Sequence, residues 1–475
     1  MPRFRFQLLA CVGLVLGASL ASALHPVPRL HAAQIQYRMT FPLMMSSLPP
    51  NPFGFDLRTY SSDATLLLGS QARPKWARAG DVDWAAIEPV KGEYHWELLA
   101  SFEANVRRLH AAGIEPVGIV QRSPPWAQSV AGRFCSPPKP EAIANFADFT
   151  YALAARFSQG DLAVNYWEVW NEPDYSPGYV PDSSAVGCWG NSSAADNGGS
   201  YYGQVLNKVY PAIKYGNNRA LVFAGALASF GLNDNRNERF LRGMLATAPG
   251  SFDALSFHAY GEWSQGDLLV YKTNKFRAIL NEYQLRDKPL IATEVAATCG
   301  SNLVADCKPD YSNWVRYQAN YAARIYAEAL ALDLMGAFWF TLDSQNPGFA
   351  YSHLVDVQDN KLVPRPAFYA FRTSAQLLQG AHYVGPPLAD PPPSDSPIVQ
   401  VLKFRKANST LYVLWVPRLD YPTTYRLPVQ AGAVATCTQR LDAETPINYY
   451  CSDTDKNGII PVGINALPIY VEVQD

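Results

Sequence analysis

The sequence predicts an α/β protein, a (β/α)8 barrel followed by a small antiparallel β-sandwich. Two observations carry this. Between about residue 38 and residue 380, short apolar runs alternate with amphipathic stretches, the pattern of a parallel sheet wrapped by helices. Beyond that, Pro386, Pro387, Pro391, Pro392, Pro393 and Pro397 crowd a segment too poor in helix formers to continue the pattern, and short β-rich runs follow.

In chain order, the barrel strands are expected at Phe41 to Ser46, Lys75 to Ala79, Glu115 to Val120, Asn165 to Trp170, Leu221 to Ala226, Ala254 to His258, Pro289 to Thr293 and Gly336 to Phe340. Helical periodicity lies between them, at Leu98 to Ala111, Ile143 to Phe157, Tyr201 to Lys214, Glu238 to Thr247, Tyr271 to Tyr283 and Trp314 to Leu332, with Ala367 to Leu378 after the last strand. An open doubly wound sheet is the alternative. The even spacing, and the lack of a Gly-x-Gly-x-x-Gly loop after the first strand, favour closure. The barrel is therefore assigned to residues 34–380, a Pro-rich linker to 381–397 and the sandwich to 398–475. Its strands are expected at Ile398 to Phe404, Leu411 to Val416, Thr424 to Leu427, Ala433 to Thr438 and Ile469 to Val473, separated by turn signals.

With 475 residues, 48% hydrophobic and 17% charged, the chain is too apolar for disorder and long enough for a large domain plus a smaller one. A net charge of −2 and the lack of any Lys/Arg run argue against nucleic acid as a partner. Arg3 and Arg5 precede the apolar run Leu8 to Leu20, and Ala21-Ser22-Ala23 follows, so residues 1–23 read as a cleaved leader. That run is shorter than the roughly 20 residues of a membrane-spanning helix, and the mature protein is expected to be secreted or periplasmic, without a membrane anchor.

Loss of the leader removes Cys11 from the seven cysteines. The remaining six allow fifteen pairings; proximity in sequence favours Cys299 with Cys307 and Cys437 with Cys451, leaving Cys135 for Cys188, and six reduced thiols are the alternative. Neither a Cys-x-x-Cys pair nor a His cluster is present, so no structural zinc and no cofactor are expected.

Active sites of such barrels lie at the carboxyl ends of the strands. Two carboxylates stand there, in Tyr166-Trp167-Glu168-Val169-Trp170-Asn171-Glu172-Pro173 and in Leu290-Ile291-Ala292-Thr293-Glu294. Strands four and seven face each other across the ring, so Glu172 and Glu294 can meet over its mouth. Cleavage of a glycosidic bond needs that pairing: one carboxylic acid protonates the leaving oxygen while a carboxylate acts on the other face of the sugar. Glu172 must then keep its proton through burial and the charge of Glu294, and Arg78, ending the second strand, is placed to hold Glu294 ionised.

Trp170-Asn171-Glu172-Pro173 resembles the Asn-Glu signature of clan A glycoside hydrolases, and the resemblance extends over most of the chain. Trp84 to Trp96, with Ile87-Glu88-Pro89 and Gly92-Glu93-Tyr94, is similar to the loop after strand two in enzymes near glycoside hydrolase family 39. Pro124-Pro125-Trp126, Phe257-His258-Ala259-Tyr260, Thr293-Glu294, Phe338-Trp339-Phe340 and the run from Leu354 to Tyr369 fall in the same order as in those enzymes. The resemblance implies a retaining hydrolase with Glu172 as acid/base and Glu294 as nucleophile. It further implies Asn171 on the sugar 2-hydroxyl, His258 and Tyr260 supporting the nucleophile, and Trp339 under the sugar. The sequence departs from many relatives in lacking a Gly soon after Glu294, and Cys299 to Cys307 looks like an insertion.

Plainer readings stand beside these. Thr293-Glu294 could cap a helix, His258 could be a core histidine, and Glu168, two pleats below Glu172, reads as a barrel-lining acid held by a hydrogen bond or an Arg. Glu88, before Pro89, reads as structural. Trp126 and Trp263 follow strands at the same face, where rings stack on sugars. A carbohydrate is the expected partner. A catalytically silent carbohydrate-binding protein and a transglycosylase on the same residues are the alternative functions.

Overall fold

The structure is a computed structural model; it describes residues 51–475 apart from 58–61, 179, 181–185, 229–233, 263–267, 299–310, 344–351, 360, 390–396 and 418–420. The expected closed barrel is formed by β1 (Phe53–Asp56), β2 (Trp76–Asp83), β3 (Glu115–Gln121), β4 (Tyr166–Val169), β5 (Leu221–Leu227), β6 (Ala254–Glu262), β7 (Leu290–Thr298) and β8 (Leu334–Trp339). Each strand pairs in parallel with the next, and β8 pairs with β1. Apart from the single turn Trp84–Ile87, the α-helices among the described residues are α1 (Asp63–Ser70), α2 (Ala100–Ala111), α3 (Ile143–Arg156), α4 (Gly199–Gly216), α5 (Arg236–Thr247), α6 (Leu268–Glu282), α7 (Tyr311–Ala331) and α8 (Pro366–Leu378).

The first strand corrects the sequence reading. Phe41 to Ser46 lies outside the described residues, and the place between β8 and β2 is taken by Phe53–Asp56. This four-residue strand is buried throughout. Its Gly54 is dictated by the partner strand, because a β-carbon there would meet the Phe338 ring at 2.5 Å. Strands β6 and β7 run further than expected, to Glu262 and Thr298.

Inside the barrel, Trp76, Val117, Phe223, Ala254, Ile291 and Phe338 form an apolar plug, and the polar residues of the site lie above it on the same strands. A larger core fills the space between sheet and helices. Helices α4 and α5 approach closely at Gly199, the first residue of α4, where an added β-carbon would meet the Phe240 carbonyl oxygen of α5 at 1.8 Å.

After the hairpin β9 (Val355–Gln358) and β10 (Lys361–Pro364), Asp356 accepts from Arg365, and α8 opens with Pro366, where a missing N–H costs nothing. The remaining strands are β11 (His382–Tyr383), β12 (Gln400–Arg405), β13 (Ser409–Trp415), β14 (Thr423–Pro428), β15 (Val434–Gln439), β16 (Ile447–Ser452), β17 (Ile459–Ile464) and β18 (Ile469–Gln474). They make a six-stranded antiparallel sheet in the order β11-β12-β13-β18-β15-β16 and a two-stranded sheet, β14-β17. One face of the larger sheet packs on the smaller through Leu414, Leu427, Ile460, Val462 and Val471. The other face contributes Leu402, Phe404, Val413, Trp415 and Tyr470 to the barrel's own outer core, and the Tyr470 hydroxyl donates to the Ala323 carbonyl of α7 at 2.7 Å.

Disulfides join Cys135 to Cys188 and Cys437 to Cys451, as proximity suggested; Cys299 and Cys307 lie outside the described residues. Among the described residues no helix is long and apolar enough to cross a membrane.

The Gly199 contact fixes the sign of a substitution. In a helix, Gly to Ala ordinarily gains up to ~1 kcal/mol. Here Gly199→Ala should lose about 1–3 kcal/mol by overpacking, read as a lower midpoint in denaturant melts; an unchanged or raised midpoint contradicts the close approach.

Candidate active site

Four strands place carboxylates or their partner around one guanidinium. Arg78 of β2 is 1% exposed. Its Nε and Nη2 donate to Glu168 of β4 at 3.1 and 2.6 Å, its Nη1 donates to Asp56 of β1 at 3.2 Å, and Nη1 also binds Glu294 of β7. Burial works against the guanidinium's charge, but Glu168, Glu294 and Asp56 outweigh it and hold Arg78 protonated well above its ordinary range. Glu168 is the lining acid the sequence suggested, and Thr293 donates to its other oxygen at 2.8 Å.

Past β4 the chain turns sharply. Trp170 donates its N–H to the Val120 carbonyl of β3 at 2.8 Å, and both Trp170 (φ 72°) and Glu172 (φ 51°) sit in the left-handed region, sparsely populated by such residues. For Glu172 the following Pro173 adds a penalty on the right-handed helical alternative. The turn brings Asn171 within 2.9 Å of Arg78 Nη2, which donates to its Oδ1, and returns Glu172 over the barrel, where it is 9% exposed.

His258 and Tyr260 of β6 complete the group. His258 Nδ1 lies 2.8 Å from Glu172 Oε1 and 3.4 Å from Glu294 Oε2, and the Tyr260 hydroxyl donates to Glu294. Glu172, His258 and Glu294 each offer a nitrogen or oxygen within 4.8 Å of the others. Such a set could hold a cation, but Glu294 already accepts from Arg78 and Tyr260, and a metal ion would stand beside a guanidinium. Burial, above all, pushes the Glu172 carboxyl above its ordinary range; His258 opposes this, and the charges of Glu294 and Asp174 add to it.

The other candidates are less central. Trp126 is half-buried on the β2 side: its Nε1 donates to the Glu88 carbonyl at 3.0 Å and its ring stands edge-on to Trp84. Glu88 accepts from Trp84 Nε1 and the Gly92 N–H, contacts that suit a structural acid. Trp339 is fully buried, with its Nε1 on the Ser352 carbonyl and its ring beside Tyr321. Trp263 lies outside the described residues.

Two members of the site escaped the sequence reading. Asp56 was hidden by the misplaced first strand. Lys272 of α6 is buried and donates to the Ala228 and His258 carbonyls at 2.5 and 2.8 Å, tying the helix to the middle of β6; the one available signal is a lysine on the apolar stripe of a helix.

Among the solved structures to which this chain is similar are glycoside hydrolases, as its motifs suggested. One is a family 39 glycoside hydrolase from the gut symbiont Bacteroides cellulosilyticus WH2, with a TM-score of 0.64 and 20% identity over 90% of this chain and 81% of that one. Another is a family 30 endoxylanase from Clostridium papyrosolvens C71, with a TM-score of 0.58 and 14% identity over 90% of this chain and 98% of that one. In sequence, 154 residues are 27% identical to a mannan endo-1,4-beta-mannosidase of Cryptopygus antarcticus, which is 29% of this chain and 38% of that protein. The chain thus matches well under half the length of that relative. No protein-family model matches the sequence.

Because Arg78 is the cation shared by three buried acids, removing it leaves them without that partner. Arg78→Met should cost about 3–5 kcal/mol of stability, measured by denaturant melts at neutral pH, and a melt matching the wild type would contradict the role of Arg78 as the shared cation.

Proposed function

We propose that the protein is a retaining O-glycoside hydrolase acting on oligo- or polysaccharides, with Glu294 as nucleophile and Glu172 as acid/base. The observation that carries this is the approach of the two carboxyls to within 4.8 Å. So close an approach of one oxygen from each carboxyl favours the roughly 5 Å spacing of retaining enzymes over the gap of about 6.5–9.5 Å in which an inverting enzyme holds a water.

In the first step Glu294 attacks the anomeric carbon while Glu172 gives its proton to the leaving oxygen, producing a glycosyl-enzyme ester and a free alcohol. In the second, Glu172, now ionised, takes a proton from water; the water oxygen bonds to the anomeric carbon and Glu294 departs. The environments suit this division. Arg78 and Tyr260 both bind Glu294 and favour its charged form, whereas burial favours the neutral form of Glu172. Asn171, held by Arg78, is assigned to the sugar 2-hydroxyl. Stacking of sugar on Trp126, Trp263 and Trp339 completes the assignment; for the buried Trp339 it requires the ring to become accessible on binding.

The disulfides Cys135–Cys188 and Cys437–Cys451 suit an oxidising compartment, which together with the leader supports a secreted or periplasmic location. The mannosidase and endoxylanase likenesses make mannan and xylan the first polysaccharides to assay. The barrel with its active site and the C-terminal sheets are taken as catalytic domain and appendage.

The test is the stereochemistry of the first product, followed by NMR: the anomer released should have the substrate's configuration, and its opposite would overturn the assignment of Glu294. Activity should also fall on the alkaline side, because the proton that Glu172 must donate is lost as pH rises through its elevated pKa. Glu172→Gln should lower polysaccharide turnover by about 10²–10⁴-fold and remove the alkaline limb with activated aryl glycosides. A variant that keeps that limb would exclude Glu172 as its source.

A further inference from the structure

On the same rim of the barrel as the carboxylate pair, the ends of β2 and β3 carry a polar group that the proposed catalysis leaves unused. Side chains alternate along β3: Val117 belongs to the plug inside the barrel, Ile119 lies opposite Glu168 on β4, and Gln121 is next on this inward face, opposite Asp83 of β2. Since Trp170 donates to the Val120 carbonyl, Gln121 stands level with the turn that carries Asn171 and Glu172.

Gln121 is 2% exposed. Its Nε2 donates to Asp81 Oδ2 at 2.8 Å, an orientation forced by the acceptor-only carboxylate, and its Oε1 has no hydrogen-bond partner among the described residues. The nearby cation is already committed: Arg122 donates to Asp81 at 2.8 Å and to Asp83 at 3.1 Å, with its guanidinium 4.7 Å from the Phe134 ring. This wall therefore offers a buried acceptor in need of a donor, set beside carboxylates whose cation is shared between them. A hydroxyl can supply that donor. A sugar carboxylate would face acceptors and meet repulsion.

We propose that Gln121, fixed by Asp81 and Arg122, reads one hydroxyl of a neutral sugar in the cleft and discriminates against a uronate there. This rests on the glycoside hydrolase reading for its setting. The experiment uses the nitrophenyl glycoside that the wild type cleaves fastest, its monodeoxy analogues and the corresponding uronide.

One deoxy position should lower wild-type kcat/KM by about 10–100-fold, the size expected when a buried acceptor is left unpaired. Gln121→Leu should lower kcat/KM for the parent sugar by a similar factor, abolish that one penalty and keep those at other positions; Gln121→Met gives the same reading should the Leu variant fold poorly. The uronide should be the poorer substrate. Deoxy penalties that are all independent of residue 121, or a preference for the uronide, would overturn the proposal. Calorimetric binding of the same sugars to Glu172→Gln protein separates the two ideas: discrimination in binding without turnover by the wild type sinks hydrolysis alone, and turnover without discrimination sinks the role of Gln121 alone.

Discussion

One buried guanidinium sets the terms for this protein. Arg78 rises from β2 into the centre of the barrel and receives acids from β1, β4 and β7. Each charge would be prohibitively costly to bury alone. A guanidinium has five N–H donors in a fixed plane, and here they are divided among Asp56, Glu168, Glu294 and Asn171. The ring of strands and the proposed chemistry are therefore one problem: the barrel must close in this register for the guanidinium to find its partners.

The two outer carboxyls inherit opposite characters from this arrangement. Glu294 is tied to Arg78 and to the Tyr260 hydroxyl. Glu172 is held on a left-handed turn, with His258 Nδ1 2.8 Å from its carboxyl. Burial thus raises the proton affinity of Glu172, two donors converge on Glu294, and the left-handed backbone at Trp170 and Glu172 sets Glu172 apart from the guanidinium.

Much of this was legible in the residues because it rests on periodicity. Seven of the eight barrel strands lie where their apolar runs fall, and Glu172, Glu294, Arg78, Asn171, His258 and Tyr260 meet because each follows or ends such a run. The first strand was missed because Phe53-Gly54-Phe55-Asp56 is short and contains a glycine whose reason lies across the sheet, in Phe338. β16 was missed because Ile447, Tyr449 and Tyr450 are exposed on an edge, so no buried face shows in the pattern; β17 contains Pro461, which usually speaks against a strand. β11 was assigned to the linker, although His382 and Tyr383 pair with β12. The neighbours of Gln121 could not be read at all, since strand register alone brings Asp81 beside it.

The C-terminal sheet carries a lesson about modularity. Its Leu402, Phe404, Val413, Trp415 and Tyr470 share a core with the helices of the barrel, and Lys406 and Tyr470 bond backbone carbonyls of Leu377 and Ala323 on α8 and α7. Recombination that swapped this segment for one from another lineage would have to bring a matching helical surface with it, because either half alone would present a bare hydrophobic flank to water. The two parts are thereby bound to evolve together.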